Sequence, residues 1–487
     1  MVMLPGPYIF DDFSSGMIDT GAVSDSLLPK NAVRKAINCV FDNPRGSVTG
    51  RLGSAAVGNN IGSAVKGIGY FRDAGSGTNH QLLATDNGGI TYYLNGSTFT
   101  STLSGDTAAK KTYFVTFLDT IARLNGTDAI KSWDGNPASA WATSGGALDV
   151  GNWPSATKYA EVFNSRVYTS GQTSAPDTLY YSSIPSGNAI SWTSGNGSLL
   201  VNPNDGESGI TGIKTNGTVL LIFKRNSLYR WDGQATFANK VISIGTPSTD
   251  SLALHDSGWM YFFGTGKSTV GAFRTTGSYP QKISTGIERW FEAIPASAYE
   301  NVASFVDDDH YYLSVGSITV DGVTYSNAWF VYTISLQAWH IENRAHSLTV
   351  FSNYTNTSST QFTVGGDSAG NVHQINSGTL DLTTPIAAEC EFSPISLTTR
   401  GRTKRFSSSN VVAYASQFQG VKFFVKTDKH NFESLGQMSS ESHRFNGRSL
   451  MFNGKQFFPK ITVSDSALAW QFDGFEISNV TDEDIYN

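Results

Sequence analysis

Apolar and polar residues alternate with period two along most of this chain, in short runs that favour Val, Ile, Tyr, Phe, Trp and Thr. Such runs suit a pleated surface buried on one face, and they predict β-strands. Asn95-Gly96, Asn125-Gly126, Asp134-Gly135, Asn216-Gly217, Asp232-Gly233 and Asp321-Gly322 punctuate them. Asn-Gly and Asp-Gly supply the positive φ that tight hairpins need. Helical periodicity is nearly absent. Its one candidate is Gly286 to Ile294, stopped by Pro295.

The runs come in fours. The first set reads VKGIGYFRD, HQLLATD, GITYYLNG and TFTSTLSG; the second reads TYFVTFL, TIARLNG, AIKSWDG and SAWATSG; the fourth closes on NKVISIG. Sets begin near Val65, Lys110, Lys158, Gly209, Leu252, Ala298 and His346, at spacings of 43 to 51 residues. Four strands in each unit of about 40–50 residues is the signature of a β-propeller with one blade per unit. The expected fold is therefore all-β: a seven-bladed propeller of four-stranded blades. The seventh set, Ser347 to Asp381, has a weak fourth run, which leaves six or eight blades open. Three regions follow: a non-repeating head over 1–64, the propeller over 65–385, and a tail over 386–487. The tail's runs AECEFSPISL, SNVVAYA, GVKFFVKT, KQFFPKITV and AWQFDGFEIS read as a small β-sandwich-like domain. Closing the ring needs a strand from one terminal segment, and either the head or the start of the tail can supply it.

Composition narrows the function more than the fold. Hydrophobic residues make up 39% and aromatics 12%, ample for a core, while only 15% are charged and 49 are glycine. The net charge of −6 gives no electrostatic footprint for duplex nucleic acid. One basic cluster stands out, Arg400, Arg402, Lys404 and Arg405, and reads as a solvated turn or a partner contact. Cys39 and Cys390 are far apart, so the chain is not a disulfide scaffold, and synthesis in a reducing cytosol is the simpler reading. Neither a signal peptide nor an apolar run of membrane-spanning length is visible, so no membrane anchor is expected.

Candidate chemistry is thin. Asp307-Asp308-Asp309-His310 invites a cation site, but successive strand residues point to opposite faces, so a polar hairpin turn is favoured. Asp367-Ser-Ala-Gly370-Asn371 and Asn202-Pro-Asn204-Asp205-Gly206-Glu207 loosely resemble cation loops without the EF-hand order, and read as turns. Trp133-Asp134-Gly135 and Trp231-Asp232-Gly233 lack the Gly-His partner of tryptophan-aspartate repeats, and the sialidase Asp-box is absent. Tyr92-Tyr93, Tyr180-Tyr181, Tyr311-Tyr312, Trp329 and Trp339 could stack on sugars, though blade cores claim most such rings, with one tyrosine of each doublet facing inward. Eight histidines are scattered, with no close pair at metal-ligand spacing. No catalytic, cofactor-binding or metal-ligating residue is expected, and no enzyme, although two carboxylates converging only in space would escape a reading of sequence.

The head carries a resemblance. Asn38-Cys39-Val40-Phe41-Asp42, then Gly46, then Arg51-Leu52-Gly53 stand where tail proteins of short-tailed bacteriophages have an Asn, a "v-f-d" run, a glycine turn and Arg-x-Gly. In order of arm, propeller and β-rich tail, the chain resembles the propeller-bearing tail-hub or nozzle proteins over essentially its whole length. That resemblance implies a structural virion subunit made in the host cytoplasm, with no cofactor. It implies a homo-oligomeric ring, usually sixfold, below the portal and adaptor of the neck. The ring would continue the DNA-exit channel, let DNA pass without specific binding, and dock fibres or spikes. The arm around Lys30 to Gly53, with Arg34, Asn38 and Arg51, would then contact neighbouring subunits or the neck. Deleting residues 1–53 should leave a folded propeller that no longer assembles. The rival expectation is a carbohydrate-binding or polysaccharide-degrading propeller, recognised by a channel cleft with two facing carboxylates.

Overall fold

A computed structural model describes residues 2–3, 6–19, 28–41, 46–72, 80–207, 209–356, 358–397, 403–446, 450–464 and 469–482. The described strands form a seven-bladed β-propeller with a β-sandwich-like C-terminal body. The first strands of the blades, which face the ring axis, are Val65–Arg72, Tyr113–Phe117, Tyr159–Phe163, Ile210–Asn216, Ala253–Leu254, Ala303–Asp307 and Leu348–Thr355. Each begins within a few residues of the repeat starts read from sequence.

Blades 1, 3, 4 and 6 are antiparallel sheets of four consecutive strands, blade 6 continuing outward into further strands. Three details differ from expectation. In blade 2 the fourth run makes only a single bridge, Ser132 with Ala142, beside three strands. The NKVISIG run divides: Asn239–Ile242 stays in blade 4, while Ile244–Gly245 crosses to the inner edge of blade 5. Blade 7 takes its fourth strand from the head, Ser54–Val57 pairing with Val372–Ile375. That strand closes the ring and fixes the count at seven. The Gly286 to Ile294 candidate is helical, as a 3-10 turn Thr285–Ile287 followed by Glu288–Glu292, with Trp290 and Phe291 buried.

The head does not stand as a separate arm. Val33–Ile37 runs parallel to Ala338–Asn343, the outer strand of blade 6, and antiparallel to Ala388–Phe392 of the tail. The sheet continues through Phe457–Val463, Val421–Thr427 and Glu433–Gln437, nine strands in one path. The tail strands Val421–Thr427 and Phe457–Val463 bury every second residue. Across them lie Tyr8–Phe10, Gly474–Ile477, Val411–Tyr414 and Ser442–Arg444 in a second sheet. Phe13, Phe392, Phe423, Phe472 and Phe475 fill the space between, with ring centroids 4.6 to 6.4 Å apart.

Candidate functional site

Two places gather polar side chains from several elements. The first is the channel mouth, at the starts of the inner strands, where Lys111, Tyr113, Lys158, Tyr159, Thr249 and Glu300 line a cavity of about 570 Å³. Lys111 Nζ donates to Asp250 Oδ2 at 2.6 Å, and the Tyr113 hydroxyl donates to the same oxygen at 3.4 Å. Glu300 pairs with Arg225 at 3.2 Å. Each carboxylate is thus engaged by its own cation. The Lys158 ammonium lies 5.8 and 5.1 Å from the ring centroids of Tyr113 and Tyr159. Burial pushes its pKa down, with Asp250 and Glu300 opposing that shift. The mouth can recognise a polar or anionic group, because a partly desolvated cation between aromatic faces gains from a counter-charge.

The second place is the junction of head, blade 6, blade 7 and tail. Asn38 adopts φ 56°, a left-handed conformation asparagine tolerates, and is buried. Its Oδ1 accepts from Arg51 Nε at 2.8 Å and from the Asn343 amide at 2.9 Å, while its Nδ2 donates to the Ala387 carbonyl at 2.7 Å. Arg51 is 5% exposed and grips Asp381 with two parallel bonds, at 2.9 and 2.6 Å. Gly53 follows because a Cβ there would collide with the Leu380 carbonyl oxygen. Beside them Arg344 Nε donates to Glu342 at 2.7 Å. Burial pushes the Glu342 carboxyl up, but Arg344, with His340 and Arg51, more than offsets this and holds it at about 2.

The head motif therefore has an intramolecular purpose. Asn38 and Arg51 are spent on this chain's own residues, so their side chains are out of a neighbour's reach; Arg34 lies half-buried in Val33–Ile37. In the basic cluster, Lys404 and Arg405 belong to the strand Lys404–Ser407, and Lys404 is fully buried in register with Asp482, which corrects the solvated-turn reading there. Arg400 and Arg402, like Asp42 of the head motif, lie outside the described residues. Glu342, Arg344 and Asp381 carry no mark in the sequence: Glu342 and Arg344 pair two residues apart in a strand without a motif, and Asp381 meets Arg51 across a separation of 330 residues.

The other motifs resolve as turns. Asp308 sits at φ 46°, Asp307 accepts from Asn376 Nδ2 at 3.0 Å, and Asp309 accepts from the Ser335 amide at 2.9 Å, so the three carboxylates diverge. Asp205 accepts from Tyr229 at 2.6 Å and caps the buried Lys224, which also meets Asp177. Trp133 and Trp231 are buried, and each donates its ring N–H into the turn after it. Tyr311 and Tyr312 are both buried, a correction to the one-in, one-out expectation: blade 6 is covered on both faces, and Trp329 and Trp339 are core as well. The histidines, without a close pair at metal-ligand spacing in the sequence, form one in space. His346 and His373 lie with ring centroids 4.9 Å apart, either side of Asp367. Two successive hairpins, through Leu348–Thr355, Gln361–Asp367 and Val372–Ile375, bring them together, so their separation in sequence hid them.

No family model and no curated protein matches the chain. Solved structures resemble it distantly. The extracellular domain of BT4673 from B. thetaiotaomicron aligns at a TM-score of 0.41 with 11% identity, covering 80% of this chain and 48% of that one. The chain thus spans about half the length of that structure. YCF48 bound to D1 peptide gives 0.40 with 8% identity, covering 69% of this chain and 98% of that one. Saccharomyces cerevisiae Sqt1 gives 0.39 with 8% identity, covering 66% and 98%.

Proposed function

We propose that this chain is a structural subunit of a bacteriophage tail, a nozzle or hub protein acting in the virion. In this reading it forms a homo-oligomeric ring, sixfold in the resembled family, that continues the DNA-exit channel. It docks adaptor or portal-proximal neck proteins on one side and fibres or spikes on the other. The observation that carries the reading is the shared sheet: head, blade 6 and tail are strands of one nine-stranded path. A subunit that must hold shape while DNA passes gains from this, because bending at the junction would break ladder hydrogen bonds and expose the Phe core. The order of head, propeller and β body, the net charge of −6, and carboxylates already engaged by Lys111 and Arg225 fit a role in positioning better than in catalysis. Net negative charge over the whole chain disfavours phosphate contacts, and passage of DNA without binding further requires acidic residues on the wall of the oligomer's channel, away from Lys111 and Lys158. Among the described residues no helix is long and apolar enough to cross a membrane.

The test is the mass of the full chain in solution by light scattering, with negative-stain images. A closed ring of several copies, alone or after mixing with neck proteins, is expected; a monomer under every such condition would sink the reading. Deleting residues 1–53 is a poor assembly test, because it removes Val33–Ile37 from the centre of the shared sheet. A second reading, a carbohydrate-binding propeller, draws on Tyr113, Tyr159 and Lys158 around the channel-mouth cavity. A glycan array probes it, and binding that Tyr159→Ala abolishes would favour it.

A further inference from the structure

His346, Asp367 and His373 each point one ligand atom toward the others, all within 4.8 Å. His373 Nε2 lies 2.9 Å from Asp367 Oδ2, and His346 Nδ1 lies 3.8 Å from the same oxygen. We propose that these three side chains bind one divalent transition-metal ion of the zinc class, on blade 7 where the connection from blade 6 enters it. Imidazole and carboxylate donors at about 2.0–2.2 Å from such an ion stand roughly 3–3.5 Å from one another, so His373 and Asp367 are already at that spacing and His346 must close in by roughly 1 Å, a side-chain rotation on a half-buried loop.

The placement argues for more than turn chemistry, because blade 1 supplies an internal control. Leu348 pairs with Asp367 as Val65 pairs with Asp86, so His346, Asp367 and His373 correspond to Ser63, Asp86 and Tyr92. Asp86 holds its turn by accepting from the Ile90 amide at 2.8 Å and the Tyr92 hydroxyl at 3.3 Å, with no imidazole. Asp367 holds its own turn in the same way, Oδ1 accepting from the Ala369 and Asn371 amides at 2.9 and 2.7 Å. Neither histidine is needed for that.

The histidines are also poorly used by hydrogen bonding. His373 is fully buried and its Nδ1 has no partner; His346 Nε2 is likewise buried and without one, and 3.8 Å is too long for a bond from its Nδ1. Asp367 Oδ2 also accepts from Asn371 Nδ2 at 2.9 Å, which with the two amides to Oδ1 fixes the carboxylate. An ion would replace the His373 Nε2 proton, with His346, Asp367 and His373 as its three protein ligands. The Asp367 turn rests on the head, Asn60 Nδ2 donating to the Ala369 carbonyl at 2.8 Å. The ion would thus tie the His346 loop to the closure of the ring.

The experiment strips the full chain with a chelator, then titrates Zn²⁺ by calorimetry and Co²⁺ by visible absorption. About one ion per chain, cobalt ligand-field bands and a higher melting temperature with Zn²⁺ are expected. His346→Ala should weaken binding by at least about tenfold while leaving the metal-free melting temperature nearly unchanged. His373→Tyr, which imports the blade 1 solution, should keep the turn and abolish the cobalt bands. No Zn²⁺ or Co²⁺ binding by the wild-type chain at millimolar metal would overturn the proposal. So would a folded His346→Ala chain that binds as tightly as wild type, whether or not His373→Tyr folds.

Discussion

Six of the seven blade-to-blade interfaces carry a small core of their own, and one does not. Blades 1 and 2 meet over Phe71, Leu83, Ile121 and Trp133, and blades 3 and 4 over Tyr168, Leu179, Ile213 and Trp231. Between blades 5 and 6 the core has no such boundary: Phe263, Tyr311 and Phe330 belong to one cluster with Phe13, Val33, Phe423 and Phe475. The ring is thus built of neighbours that touch only neighbours, as in any repeat architecture. The head and tail escape that rule by burying their apolar faces together against blades 5 and 6. One region is assembled from stretches continuous in sequence, the other from segments at opposite ends of the chain. Their ionic locks differ in the same way. Lys224 is held by Asp177 and Asp205, close in sequence, whereas Arg51 is held by Asp381.

That contrast can be broken from either side. Arg51→Ala strands Asp381 and removes a cation near Glu342, so a loss of about 3–5 kcal/mol is expected by urea unfolding. Limited proteolysis should then release the tail before the blades; a loss within error of zero would mean the network does not lock the junction. Acid should act on the same place. Glu342 titrates at about 2 in the folded chain against 4.5 ordinarily, so its stabilisation is complete above about pH 4.5 and is lost as pH falls toward 2. It amounts to about 3 kcal/mol, and a Glu342→Gln chain should show a flatter dependence of stability on pH across that window. Lys224→Met leaves Asp177 and Asp205 unpaired, but Asp177 reaches solvent, so about 2 kcal/mol is expected, with tail proteolysis unchanged. Gly322→Ala sharpens the lower end. Its φ of 75° at a hairpin tip with open space around it makes backbone strain the only cost, about 1 kcal/mol in thermal unfolding.

The two regions were unequally legible. Period-two runs and Asn-Gly or Asp-Gly turns marked the inner strands of every blade to within a few residues, since a hairpin is chosen by residues that are themselves neighbours. The same local reading correctly took Asp307 to His310 for a turn. It failed where a residue's fate depends on distant chain. Arg51 looked like an exposed assembly contact and is buried against Asp381; Lys404 looked solvated and lies inside a sheet. His346 and His373 looked scattered and share one carboxylate.

From sequence alone came the all-β class, the repeat and its blade starts, because strand, turn and period are written in short windows. Which segment closes the ring, that blade 7 is completed by Ser54–Val57, and that the head is a strand of the tail's sheet were decided only in three dimensions. Any strand edge of suitable register can pair with another, and pairing is selected by the burial that the whole chain achieves at once.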